Sequence, residues 1–403
     1  MSGNVPTIRF AGFTEPWEQR KLGDIATKVT KKNSDLAIQE TFTNSAERGV
    51  VSQLDYFDHD ITNDDNIGNY IVVEPDDFVY NPRISVTAPV GPINRNCLLR
   101  AGVMSPLYTV FRVNATVDHS YLEHYFNTSL WHAFMNLEGN SGARSDRFSI
   151  SDSTFFEMPI SCPRKDEQSA IAVFLDRLDN LITLHQRKHD QLVTLKKSLL
   201  EKMFPKPGSD APELRFAGFT EPWEQRKAGD IFEIMDDRGH PELPVLSATQ
   251  DLGMIRRDDS GRYIGHDASN EVGYKRVIPG SFVVHLRSFQ GGFAHSPIEG
   301  ITSPAYTVFA ARCPSSQSDR FWKHWFMSPR FIHDLGTVTY GIRDGRSINV
   351  DEFMNTLQTY PSFEEQKLIG LTLDYLDSLI TLHQRKHDQL VTLKKSLLEK
   401  MFA

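Results

Sequence analysis

Long apolar runs are missing from this 403-residue chain, and none approaches the roughly eighteen residues that a membrane span needs. The opening MSGNVPTIRF has neither the basic nor the apolar region of a secretory leader, so a cytoplasmic location is expected. Cysteine is scarce. Cys97, Cys162 and Cys313 show no paired spacing, which excludes a disulfide framework and a zinc site and leaves three thiols expected to be buried. Positive charge is also short: 44 Lys and Arg against 52 Asp and Glu leave a net charge of −8, which argues against a nonspecific nucleic-acid coat. Catalytic signatures are absent too. There is no G-x-G-x-x-G, no G-x-x-x-x-G-K-[ST], no H-E-x-x-H and no G-x-S-x-G.

What is present is a duplication. RFAGFTEPWEQRK stands at 9–21 and again at 215–227, and LITLHQRKHDQLVTLKKSLLEKMF at 181–204 and again at 379–402. Weaker echoes keep the same 198-residue offset as the second pair: SPLYTVF (105–111) with SPAYTVF (303–309), and PRKDEQSAI (163–171) with PSFEEQKLI (361–369). Repeats on this scale set the architecture. Each copy opens with the aromatic phrase, runs through a divergent middle and closes with a helix-period segment, and PKPGSDAPE (205–213) between them has the composition of an exposed linker. The expected division is 1–163 and 214–361 as globular domains, 164–204 and 362–403 as long helices, and 205–213 as linker.

The divergent middles read as mixed α/β. NYIVVEP, DDFVYNP, YTVFRV, RVIPGSFVVHL and YTVFAA have strand character, whereas 120–136 and 320–335 have helical spacing. In the first closing segment, Ile171, Phe174, Leu178, Leu181, His185, Leu192, Leu195 and Leu199 recur in steps of three and four, as along a coiled-coil seam. A helix from about 166 to 204 would be about 55–60 Å long and needs a partner to bury its stripe. Its duplicate is the obvious one; linker geometry leaves the orientation open, and antiparallel pairing, which gives a closed two-fold arrangement, is the one expected. Ser362 and Glu365 suggest a capping box at the second helix start. The segment 181–204 balances at +3 and so does its twin, which leaves the rest of the chain at −14.

Several fragments have a chemical reading that fails on inspection. VYNPR (79–83) is only faintly like an adenine-methyltransferase loop, with Arg83 where a proline is needed. The Glu-x-Lys within EEQK (364–367) has DEQS opposite it in the first copy, so both read as helix starts rather than as a nuclease site. His185 and His189, with His383 and His387, have the i, i+4 spacing of zinc ligands, but a polar layer that sets helix register accounts for them. Identical basic amphipathic helices suit two equal docking sites for two copies of a partner. Leu178, Leu181, His185, Leu192, Leu195 and Leu199, with Leu376, Leu379, His383, Leu390, Leu393 and Leu397, are the candidates for the helix pair and its partners.

Candidates for nucleic-acid contact lie in Gly- and Ser-bearing loops of the middles. In the first copy these are Arg83, Arg95, Arg144 and Arg147, and in the second Arg287, Gln290, Arg343 and Arg346. Arg and Gln on permissive loops suit bidentate readout of guanine and adenine edges. Equivalent loops occur in both copies with different sequences.

Taken in order, PWEQRKLGDI, the Pro-x-x-x-Glu-Gln-x-x-Ile helix starts and the duplicated KKSLLEKMF resemble the specificity (S) subunit of type I restriction-modification systems, over nearly the whole chain. The resemblance rests on Trp17, Leu22, Gly23 and Asp24 and on Trp223, Gly229 and Asp230, with Ala228 in place of the second Leu. It implies a mixed α+β chain of two target-recognition domains separated by a pair of long antiparallel coiled-coil-like helices, with internal two-fold pseudosymmetry. Each domain would read half of a bipartite, asymmetric double-stranded DNA site. The helices would dock two methylation (M) subunits and, through the complex, two restriction (R) subunits. The chain itself would be non-catalytic and bind no cofactor or metal; S-adenosylmethionine, ATP and Mg belong to the partners. The alternative is a protein-binding adaptor with duplicated helical docking sites.

Overall fold

The strand-like runs are short because each alternates Val, Ile, Phe or Tyr with smaller residues and stops at a Pro, Gly or Asp turn. In the first copy, β1 (Ala26–Lys28), β2 (Phe78–Tyr80), β3 (Ile93–Arg95) and β4 (Thr109–Val113) form an antiparallel sheet in the order β1-β4-β2-β3. In the second, β5 (Phe232–Met235), β6 (Phe282–Val284), β7 (Phe293–His295) and β8 (Thr307–Ala311) repeat it as β5-β8-β6-β7. The cross-strand pairs Phe78–Phe111 and Phe282–Phe309 stack with ring centroids 5.5 and 5.4 Å apart. The computed structural model describes residues 6–57, 64–141, 146–206, 208–249, 252–260, 268–284, 292–336, 339–340 and 347–402.

Each sheet is covered by helices. The periodic stretch 120–136 is two helices, α1 (His119–Phe126) and a second turn of helix at His132–Glu138; its counterpart is α2 (Asp319–Trp325) followed by Pro329–Leu335. The second pair breaks where Ser328 caps the N–H of Phe331 ahead of Pro329, because proline is suited to a helix start and not to its interior. The two long helices are Lys165–Lys202 and Phe363–Met401, called here the first and second long helix.

The chain forms two units, Met1–His185 with Lys386–Ala403, and Gln186–Arg385. Each unit therefore takes the first half of one long helix and the last part of the other. In the first unit Lys394 donates to Asp179 (2.7 Å), and Leu397, Met401 and Phe402 pack in the cluster that holds Ile171, Ala172 and Leu175. In the second, Lys196 pairs with Asp377 (2.5 Å), and Leu199, Met203 and Phe204 pack with Ile369 and Leu373. The halves run antiparallel within each unit. The inward positions are Ile171, Leu175, Leu178, Ile182, His185, His189, Leu192, Lys196, Leu199 and Met203, in strict steps of four and three. Phe174, Leu181 and Leu195 stand on the exposed side. Apolar spacing alone does not find this seam, because Lys196 and His189 occupy two of its positions.

The repeated phrase closes each unit. Arg9 donates from Nε (2.8 Å) and an Nη (2.7 Å) to the two oxygens of Glu167, whose side chain is 2% exposed. Arg215 does the same to Glu365 (2.9 and 2.6 Å), which is 1% exposed. The Glu365 carboxylate is thus engaged with Arg215, not with a helix cap. One residue on, Gln168 accepts from the N–H of Asp118 and donates to the carbonyl of Pro163, tying the start of its helix to α1; Gln366 repeats this with Ser318 and Pro361. The phrase and the residue just before it also hold the end of the other helix: Ile8 N–H donates to the carbonyl of Lys400 and Trp17 meets Phe402, while Leu214 N–H donates to the carbonyl of Lys202 and Trp223 meets Phe204. Its EQRK pairs antiparallel with the strand that leads into the long helix, Pro159–Cys162 or Leu357–Tyr360.

The cysteines also differ from expectation. Only Cys162 is buried; Cys97 and Cys313 are exposed, since each follows a strand end into a surface turn.

His124 and His324 are buried on α1 and α2, and each places Nε2 2.9 Å from an aspartate of a long helix, Asp176 or Asp374. Burial lowers the pKa of His324 more than Asp374 raises it. Burial works against the Asp374 charge, but the hydrogen bonds from His324 and Lys323 outweigh it and hold the carboxyl well below the usual carboxylate range.

Arg9→Ala leaves a buried carboxylate unpaired and is expected to cost about 3–5 kcal/mol. The exchange of Arg9→Glu with Glu167→Arg should recover part of that loss in denaturant unfolding. Phe402→Ala should cost about 3–5 kcal/mol by the cavity it leaves. On acidification, unfolded histidine takes up a proton below about pH 6.5 that folded His324 resists, so stability falls through that range. His324→Gln should flatten the slope of Tm against pH between 7.5 and 5.5.

Candidate nucleic-acid interface

The loop between β2 and β3 is built on asparagines. Buried Asn44 donates to the carbonyl of Val79 (2.7 Å), Asn81 donates to the carbonyl of Asn44 (2.8 Å), and Asn94 donates to Asn44 Oδ1 (2.7 Å). The hydroxyl of Tyr80 donates to Val90 across the loop. Gly91 sits at φ +84°, and a Cβ there would lie 2.1 Å from the carbonyl oxygen of Asn81, so no other residue closes the loop this way.

This base places two arginines face to face. Arg83 and Arg147 pair across an isolated antiparallel bridge, flanked by Phe148 N–H donating to Pro82 (2.8 Å) and Ile84 N–H donating to Asp146 (3.1 Å). Arg83 is exposed and its guanidinium has no partner among the described residues. Among the described residues Arg147 has only Asp146, at 4.0 Å, and its buried Nε has no hydrogen bond to any of them. Like charges directly opposite on paired strands repel. An anion between them removes that cost.

The neighbouring arginines are already neutralised. Arg95 donates to Glu123 (2.8 Å) and Asp76 (3.1 Å); burial opposes its charge, and Glu123 leads the interactions that more than offset it. Arg100 donates twice to Glu40 and holds that carboxyl below its ordinary range. Arg112 donates twice to buried Asp77. Arg95 is therefore placed as a brace of the sheet, apart from the Arg83–Arg147 pair. Arg144, Arg287, Gln290, Arg343 and Arg346 lie outside the described residues.

Three further arginines were not marked by loop composition. Arg48, over the ring of Tyr56, is in the turn between Phe42–Ser45 and Gly49–Ser52, the hairpin that Asn44 ties to the same loop base. In the second unit Arg256 is exposed without a partner among the described residues, and Arg257 has a buried Nη without a hydrogen bond. For Arg48 the signal was the hairpin turn SAERG (45–49); Arg256 ends the strand Met254–Arg256 and Arg257 opens the 3-10 turn after it, where the sequence carries no such signal.

The long helices leave apolar side chains in solvent. Of the predicted interface residues, Leu178 and Leu376 are buried, and His185, Leu192, Leu199, Leu379, His383, Leu390 and Leu397 are half-buried, whereas Leu181, Leu195 and Leu393 are exposed. Leu184, Leu382, Val193 and Val391 are exposed beside them. His324, Asp374 and Asp377 lie close enough to share a cation, but Lys323 and Lys196 already reach both carboxylates. The four seam histidines form no such group among the described residues. Nor is any helix among those residues long and apolar enough to cross a membrane.

Comparison with known proteins follows the same lines. The chain superposes on the S subunit of a type I restriction-modification system from M. genitalium over 99% of each chain, with a TM-score of 0.55 at 12% identity, which is a likeness of fold. The HsdS subunit from Thermoanaerobacter tengcongensis aligns over 97% of this chain and 98% of its own, at 16% identity and a TM-score of 0.44. Residues 14–194 match the family model of the type I restriction modification DNA specificity domain. Residues 14–194 thus carry the type I restriction modification DNA specificity domain, the second copy repeats the frame of the first, and the chain is similar to the specificity subunits of those systems.

Proposed function

We propose that each unit reads one half of a bipartite, asymmetric double-stranded DNA site, and that the long helices dock two methylation subunits and, through that complex, two restriction subunits. The observation that carries the DNA reading is the Arg83–Arg147 pair, in which Arg83 has no carboxylate among the described residues and Arg147 only Asp146 at 4.0 Å, whereas Arg95, Arg100 and Arg112 are each closely paired. Phosphate contacts supply affinity and its salt dependence, and base-edge contacts supply sequence choice. Because the middles differ while the frame repeats, the two half-sites differ. Arg48, Arg256 and Arg257 join Arg144, Arg287, Gln290, Arg343 and Arg346 as candidate contacts.

Docking rests on the exposed leucines and valines. The first unit presents Leu181 and Leu184 with Val391 and Leu393; the second presents Leu382 with Val193 and Leu195. Identical residues at equivalent places make two equal sites for one kind of partner. S-adenosylmethionine, ATP and Mg act in those partners, and this chain supplies the address.

Methylome sequencing of cells with and without the chain gives both half-sites. In the complex with methylation subunits, Arg83→Ala and Arg147→Ala should each weaken binding by about 1–3 kcal/mol where the contact is bidentate to a base, or lower the salt slope by about one where it is to phosphate. Recognition unchanged in both variants would sink the assignment. Leu184→Asp and Leu382→Asp should each remove one methylation subunit, and the double variant both, by native mass spectrometry.

A further inference from the structure

The loop rooted at Asn81 ends in a side chain with nothing to touch. Val86 is fully exposed, at 101% of its reference area, while Ala88 and Val90 on the same loop are buried. The tip is not loose: Ser85 N–H donates to the carbonyl of Ala88 (3.0 Å), Ala88 N–H donates back to Ser85 (3.2 Å), and the hydroxyls of Ser85 and Thr87 lie 3.1 Å apart. These reciprocal bonds make Val86 and Thr87 the two central residues of a tight turn. Neither residue has a positive φ that would call for glycine, yet turn positions are dominated by Gly, Pro, Asn, Asp and Ser, so the turn itself gives no reason for two β-branched residues. Solubility gives no reason for an aliphatic tip either. Three residues back stands Arg83, paired with Arg147.

We infer that Val86 is a specificity-determining residue that packs on the C5-methyl group of a thymine in the half-site read by the first unit. The inference rests on the DNA reading proposed above and deepens it. An isopropyl group has no hydrogen-bonding atom, so it can tell bases apart only by apolar contact. Among the base edges in the major groove the thymine methyl is the apolar group. A fixed turn delivers that contact without first having to order a flexible loop.

The test uses the chain in complex with its methylation subunits and a duplex carrying its own site, with each thymine of both half-sites replaced in turn by uracil, which removes only the methyl group. Wild type should lose about fourfold in affinity at one such position, the worth of one buried methyl. Val86→Ala should bind the thymine duplex with a similar loss and be indifferent to uracil at that position. Its Tm should be unchanged, since Val86 makes no packing contact. The inference is overturned if no uracil weakens wild type, or if Val86→Ala keeps the full thymine preference. The two readings fail separately. If Arg83→Ala with Arg147→Ala leaves binding intact, DNA reading by this loop is wrong; if that pair weakens binding but Val86 and the methyl act independently, only the Val86 contact is wrong.

Discussion

A bidentate arginine–glutamate pair is the constraint on which each unit depends. Glu167 and Glu365 are carboxylates removed from water at the start of a long helix, and such a charge is tolerated only with a partner in good geometry. Arg9 and Arg215 supply it from the repeated phrase, with both nitrogens of the fork engaged. Once the arginine is held, the rest of the phrase has a fixed course. Its Trp covers the Phe at the end of the opposite helix, and its EQRK strand pairs with the strand leading into the near one. One helix start and one helix end are thereby brought to the same place, which imposes the antiparallel pairing inside each unit.

This explains which parts of the chain are written twice. The phrase, the Glu-Gln helix start and the Lys-Met-Phe helix end touch one another in both units, so a change in one would need compensation in another. The middles have no such obligation beyond their sheets. Their arginines divide into two classes by what faces them: Arg95, Arg100 and Arg112 are used up by carboxylates within the first unit, and Arg83 and Arg147 face each other. In a chain of net charge −8, two guanidinium groups that share a single carboxylate, Asp146 at 4.0 Å from Arg147, are a local feature that composition hides. Attraction for a polyanion over a Debye length of about 10 Å is set by such local charge more than by the total.

Much of the fold was legible because its signals are local. A strand run such as YTVFRV carries its own alternation and its own stops, and β4 appears within it. The long helices announced themselves by length and period, and their duplication pointed to each other as partners. The seam was harder. Leu181 and Leu195 fit an apolar spacing yet are exposed, while Lys196 and His189 fit none and face inward. Hydrophobicity ranks a lysine as outside; an aspartate on the facing helix at 2.5 Å puts it inside.

By itself the sequence determined the duplicated plan, the mixed α+β class, the long paired helices and the family resemblance, since all of these rest on order, period and repetition along the chain. The candidate interface was only half determined that way. Loop composition marked Arg83, Arg95 and Arg147 alike, and nothing near Arg95 in the chain reveals that Glu123, 28 residues away, will neutralise it. Tertiary structure decided that Arg83 meets Arg147, that Arg95 is spent as a brace, and that Val86 stands clear at a closed turn. Charge pairing and exposure are properties of neighbours in space, and the neighbours that matter here are dozens of residues apart.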